Sequence, residues 1–200
     1  MLNSTKLIPL FAGLALAASA AHGAEFTAPG AQLSVGQSAV VPLRIPYAPQ
    51  VPVRVTVTSI DEGTLADFGD FKVPAEAADT KPYYVHYTAT ALGNGNLSGT
   101  GIGYTLAVDD RNQTHTATLT NSNFTGATFD KCRDSTFKNG AAEGTTYQGC
   151  RIFLIHSSGA LKGFAFKEFE TPYSNAPVIW VPGPSVASAP TGSATLNPGN

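Results

Sequence analysis

KPYYVHYTAT, residues 81–90, reads with a period of two. Tyr83, Val85, Tyr87 and Ala89 fall on one parity; Tyr84, His86, Thr88 and Thr90 fall on the other. Successive side chains of a strand point to opposite faces, so this stretch sorts its apolar set only as a strand. VPVRVTVT at 51–58 obeys the same rule, with Val51, Val53, Val55 and Val57 alternating with Pro52, Arg54, Thr56 and Thr58. Ile102, Tyr104, Leu106 and Val108 form a third run of this kind, expected to supply the apolar face of a strand. TTYQGCRIFLIHS at 145–157 places Tyr147 and Phe153 on one parity and Cys150, Ile152 and Leu154 on the other. With shorter candidates at 39–45, 114–119, 161–166 and 178–181, about eight strands are expected.

Turn chemistry separates these runs. Asp61-Glu62-Gly63, Gly93-Asn94-Gly95-Asn96, Asp109-Asp110-Arg111-Asn112 and Ser157-Ser158-Gly159 are rich in the residues that bond their own backbone or tolerate left-handed conformations. The segment 121–144 is longer and more irregular, and a single helical turn is expected at 65–71. Short strands punctuated in this way point to an all-β protein, two antiparallel sheets packed as a sandwich. No helical pattern alternates with the strands, which excludes a doubly wound fold.

Composition sets the remaining bounds. Hydrophobic residues make up 42% of the chain and charged residues 13%, enough for a packed core and about half the usual charge density. The formal net charge is −2, so no basic excess exists to hold phosphates, and nucleic acid is not an expected partner. Residues 1–23 read as a cleavable export signal: Lys6 precedes an apolar run at 7–18 that is too short to span a bilayer, and small residues follow. Residues 24–181 are expected to form one domain. Residues 182–200, PGPSVASAPTGSATLNPGN, carry too little apolar surface to offset their ordering entropy and read as a tail. No later run is long enough for a membrane span. The two cysteines, Cys132 and Cys150, both fall in the exported part, where an even pair reads as a disulfide. That bridge closes a short loop, worth about 3 kcal/mol in the chain-entropy account.

The order of these pieces carries a resemblance. VPVRVTVTSIDEGTLADFGDF at 51–71, KPYYVHYTAT at 81–90, LSG at 97–99, FDKC at 129–132, GTTYQGC at 144–150 and APVIW at 176–180 resemble, in order and spacing, a family of small exported actinobacterial proteins of unknown function. The resemblance spans roughly residues 35–181 and implies an immunoglobulin-like β-sandwich similar to that of secreted mycobacterial immunogenic proteins. The family's paired cysteines correspond to Cys132 and Cys150. It supplies no catalytic residues to carry over.

Chemistry is sparse in the sequence itself. There is no G-x-S-x-G, so a Ser–His–acid site would have to assemble from separate loops around His86, His115 or His156. No H-x-H or H-E-x-x-H suggests a transition metal. Asp109-Asp110 with Asn112 is the best calcium fragment, and also an ordinary turn composition. The aromatics Tyr83, Tyr84 and Tyr87, with Phe164, Phe166 and Phe169, are the candidate contact residues: of Tyr83 and Tyr84, one must leave the sheet on its outer side, where it either contacts a partner or covers the sheet. The expectation is therefore a secreted, non-enzymatic binding or structural module at or outside the cell envelope, without cofactor or metal, with an unidentified protein or glycan as partner. A loop-built hydrolase and a calcium-stabilised adhesion module are the alternatives.

Overall fold

The computed structural model describes residues 24–45, 49–69, 77–117, 129–133 and 135–183. The expected export signal at 1–23 and nearly all of the expected tail lie outside the described residues. Among those described, nine strands form two sheets. They are β1 (Gln32–Ser34), β2 (Ser38–Leu43), β3 (Val51–Glu62), β4 (Thr80–Ala91), β5 (Tyr104–Asp109), β6 (Thr114–Thr116), β7 (Thr146–His156), β8 (Leu161–Lys167) and β9 (Val178–Val181). A four-stranded sheet runs β2-β3-β4-β7, and a five-stranded sheet runs β1-β9-β8-β5-β6. The fold is an all-β, immunoglobulin-like sandwich. Every pairing is antiparallel except β1 with β9, which is parallel.

The two-residue period dictates the core. Val51, Val53, Val55 and Val57 of β3, Val85, Tyr87 and Ala89 of β4, and Phe153 and Ile155 of β7 face Phe164 and Phe166 of β8 and Val178 and Trp180 of β9. The Trp180 indole is fully buried, lies 6.0 Å from the Phe164 ring centre, and donates its N–H to the Gln37 carbonyl at 2.9 Å. That bond satisfies the only polar atom the ring takes out of water.

Three departures from the sequence reading have local causes. The first is β1, a ninth strand of three residues in which Leu33 alone meets the core, too short to show alternation. The second is β5. Tyr104, Leu106 and Val108 lie opposite Lys167, Ala165 and Gly163 on the outer side, while Thr105 and Ala107 turn inward opposite Phe166 and Phe164. The neighbouring Phe rings fill the interior there, leaving room only for small side chains. The third is the helical turn, a 3-10 turn that ends at Phe68; residues 70–76 lie outside the described set, as do 118–128 and 134.

Candidate functional site

The outer face of the four-stranded sheet carries His86, which shares a depression with the Asp61 carboxylate and several hydroxyls. Cross-strand rows build this face. Ser38, Thr56, Thr88 and Gln148 align across β2, β3, β4 and β7, and Val40, Arg54, Thr90 and Thr146 align beside them. Hydroxyl pairs join neighbours within the rows: Ser38 Oγ and Thr56 Oγ1 at 2.7 Å, Thr90 Oγ1 and Thr146 Oγ1 at 2.8 Å.

A β-bulge then changes which residues face outward. Val57 pairs with Tyr87 and Ser59 with His86, so Thr58 is the extra residue. Past the bulge the parity of β3 flips: Ile60 packs against the core, and Ser59 and Asp61 join His86 outside. Thr58, Ser59, Asp61, His86, Thr88 and Gln148 line a shallow depression of about 480 Å³. His86 Nε2 lies 3.9 Å from Asp61 Oδ2 and 3.9 Å from Cys150 Sγ. Ser59 Oγ donates to Asp61 Oδ2 at 2.7 Å. The serine proton is therefore directed to the carboxylate and not to the imidazole, the reverse of a nucleophilic triad.

The other end of the same face is covered. Tyr84, Ile152 and Leu154 point outward, and Phe68, Ala77, Phe129 and Cys132 pack over them as a small second core. Phe68 and Phe129 stack with centres 5.2 Å apart. The Cys132–Cys150 disulfide, with Cα atoms 5.1 Å apart, ties the 129–133 segment to β7. Lys131 Nζ donates to Asp67 Oδ1 at 2.7 Å, Thr64 N donates to Oδ2 at 3.0 Å, and the Tyr84 hydroxyl donates to Oδ2 at 3.1 Å. Lys131 foremost, then the Thr64 amide, hold the Asp67 carboxyl down at about 2.

This cover answers the question of the paired tyrosines. Tyr83 turns into the main core and Tyr84 turns outward, yet both are buried, with hydroxyls on Glu62 and Asp67 respectively. Tyr84 covers its sheet and meets no solvent, because a loop lies over it. Tyr87, Phe164 and Phe166 are also buried. The large exposed aromatics among the described residues are Phe26, Tyr104 and Phe169. Tyr104 and Phe169 touch, with ring centres 5.0 Å apart, and Lys167 Nζ sits 5.8 Å from the Phe169 centre. Of these, the sequence flagged Phe169 and read Tyr104 as part of a buried face.

His115 and His156 belong elsewhere. His115 Nε2 is 3.0 Å from Asp109 Oδ2, and Asp109 Oδ1 accepts from the amides of Arg111 and Gln113 at 3.0 and 2.7 Å. Asp109 is buried and spends its oxygens on its own turn, so the calcium fragment is an Asx-type hairpin. His156 Nδ1 lies 2.8 Å from Ser158 Oγ, which accepts from Arg111 Nη2 at 2.8 Å on an exposed turn. Each histidine thus has its own local partners. Among the described residues no three His, Cys, Asp or Glu side chains converge as a metal site, and no helix is long and apolar enough to cross a membrane.

No family description and no curated protein matches this sequence. In three dimensions the chain is similar to MPT63, a secreted protein from Mycobacterium tuberculosis, with a TM-score of 0.50 at 12% identity over 78% of this chain and 100% of that one. At that identity the likeness is one of fold.

Proposed function

We propose that the protein is an exported, non-enzymatic sandwich module acting by contact at or outside the cell envelope, and that its contact surface is the polar outer face around His86. The observation that carries this reading is the depression itself, where hydroxyl, amide, imidazole and carboxylate groups meet on a rigid three-strand floor. Such a lining offers paired donors and acceptors to a hydroxyl-rich glycan or a polar protein surface. Export is supported by the signal-like residues 1–23, by the disulfide, and by a fold shared with a secreted protein.

The test is a glycan array and an envelope-fraction capture, both run with the chain from Ala24 to Asn200. Binding that falls at least tenfold in Asp61→Asn and His86→Ala, and persists in Thr114→Ala on the opposite sheet, supports the surface. Binding unaffected by the first two substitutions removes it.

A further inference from the structure

The two sulfurs of the disulfide share one apolar layer, and one of them also lies beside an imidazole. Both cysteines belong to the second core, Cys132 on the segment that carries Phe129 and Cys150 on β7. Cys150 stands directly opposite His86 in the β4–β7 register, with Sγ 3.9 Å from Nε2, and follows Gly149, which lines the depression together with His86 and Asp61. A thiol in an apolar layer keeps its proton, unless an imidazole in contact with it supplies an acceptor and makes it the stronger nucleophile. Asp61 Oδ2 lies 3.9 Å from the same nitrogen, so the imidazole stands beside both the sulfur and a carboxylate, and a bridge serving only to staple a loop requires neither.

We propose that Cys150 is a masked nucleophilic thiol, released by reduction, that uses His86 as its proton acceptor and takes a small polar disulfide from the depression. Asp61 is the positioning residue, its carboxylate balancing the charge that develops on the imidazole. In the oxidised protein Cys150 is only 2% exposed, because its partner and the 129–133 segment cover it. Two equivalents of a small thiol RSH break the Cys132–Cys150 bond, giving two protein thiols and RS–SR. Cys150 then passes its proton to His86 Nε2, and its thiolate attacks one sulfur of a disulfide R′S–SR′. The Cys150–SR′ bond forms, the R′S–SR′ bond breaks, and R′S⁻ leaves and takes up the proton. Attack by Cys132 on Cys150–SR′ expels the second R′S⁻ and restores the bridge, so the cap is reversible. The volume of about 480 Å³ and the Thr58, Ser59, Thr88 and Gln148 lining fit a low-mass, hydrophilic disulfide. This inference stands whether or not the surface also binds a partner.

Oxidised glutathione is the probe. Cys132→Ser leaves Cys150 unpaired, and the adduct is located by peptide mass spectrometry at neutral pH. The expected result is an adduct at Cys150 that forms roughly tenfold faster than in Cys132→Ser combined with His86→Gln. Because Cys132→Ser can disturb the 129–133 segment, fully reduced wild type supplies the second measurement. There the ratio of early adduct at Cys150 to that at Cys132 should be well above one, fall part of the way in Asp61→Asn, and approach one in His86→Gln. A ratio near one in wild type, a ratio unmoved by His86→Gln, or a folded reduced protein unmodified at Cys150 overturns the proposal.

Discussion

Two apolar layers hold this molecule together, and they are closed by different means. Between the sheets, Trp180, Phe164, Phe166, Phe153, Tyr87 and the β3 valines interdigitate, each held on a strand paired on both sides except Phe153, which is on the edge strand β7. Outside the four-stranded sheet, Phe68 and Phe129 lie over Tyr84, Ile152 and Leu154, and the upper half of that layer rests on loops. Loops have no ladder to fix them, so their apolar contacts must also offset the entropy of ordering the chain. The second layer is correspondingly sealed by a covalent bond and by one half-buried carboxylate with four donors. A layer made by register needs no staple; a layer made by a crossing loop does. That difference also places the depression, which is the part of the same sheet face the loop leaves open.

The contrast can be broken most severely in the main core. Trp180→Ala is expected to cost about 3–5 kcal/mol, since a fully buried ring leaves a cavity and orphans the Gln37 carbonyl it bonds. Urea midpoints with an unchanged slope measure this, and a loss under 1 kcal/mol would show that the sandwich does not depend on this layer. Next in size, Cys132→Ala with Cys150→Ala should cost about 2–4 kcal/mol. That loss should appear with near-native β circular dichroism, because the strands do not rely on the bridge; an unchanged midpoint would mean the staple is idle.

Asp67→Asn probes the same layer more gently, at about 1–2 kcal/mol in neutral solution. The folded carboxyl sits at about 2, below its ordinary value of about 4 in an unfolded chain. Its contribution is therefore complete above pH about 4 and fades as pH falls through about 2, so the gap between variant and wild type should close over that window. A gap that stays constant down to pH about 2 would assign the loss to packing. The smallest effect concerns the opposite turn: millimolar calcium should leave the melting temperature unchanged, because Asp109 is already bonded to its own turn amides and His115. A rise of several degrees would restore the calcium-stabilised alternative.

Most of the fold was legible because the strands of the four-stranded sheet alternate cleanly. Tyr83, Val85 and Tyr87 point inward and Tyr84, His86 and Thr88 outward, as their parity requires. The β7 split of Tyr147 and Phe153 from Cys150, Ile152 and Leu154 also matches, although it gave no sign that the second set would be covered. The five-stranded sheet was less readable. In β5 the larger apolar residues lie outside, because the inner volume belongs to Phe164 and Phe166 from the next strand, a fact no local pattern contains. The site was legible only in its types. His86 and the acids were visible, but their meeting depends on the Thr58 bulge, whose one local signal is Ile60, an apolar residue on the parity of Thr56 and Thr58. The Lys131–Asp67 bond and the fate of Tyr84 arise from chain crossings far apart in sequence, which periodicity cannot report.

The most direct test of the two-layer account is hydrogen exchange on the oxidised and the fully reduced protein. The account predicts that reduction accelerates exchange at Leu65–Phe68 and at 129–133, while the amides of β8 and β9 beneath Trp180 keep their protection. A uniform loss of protection through both sheets, or no change at 129–133, would contradict it.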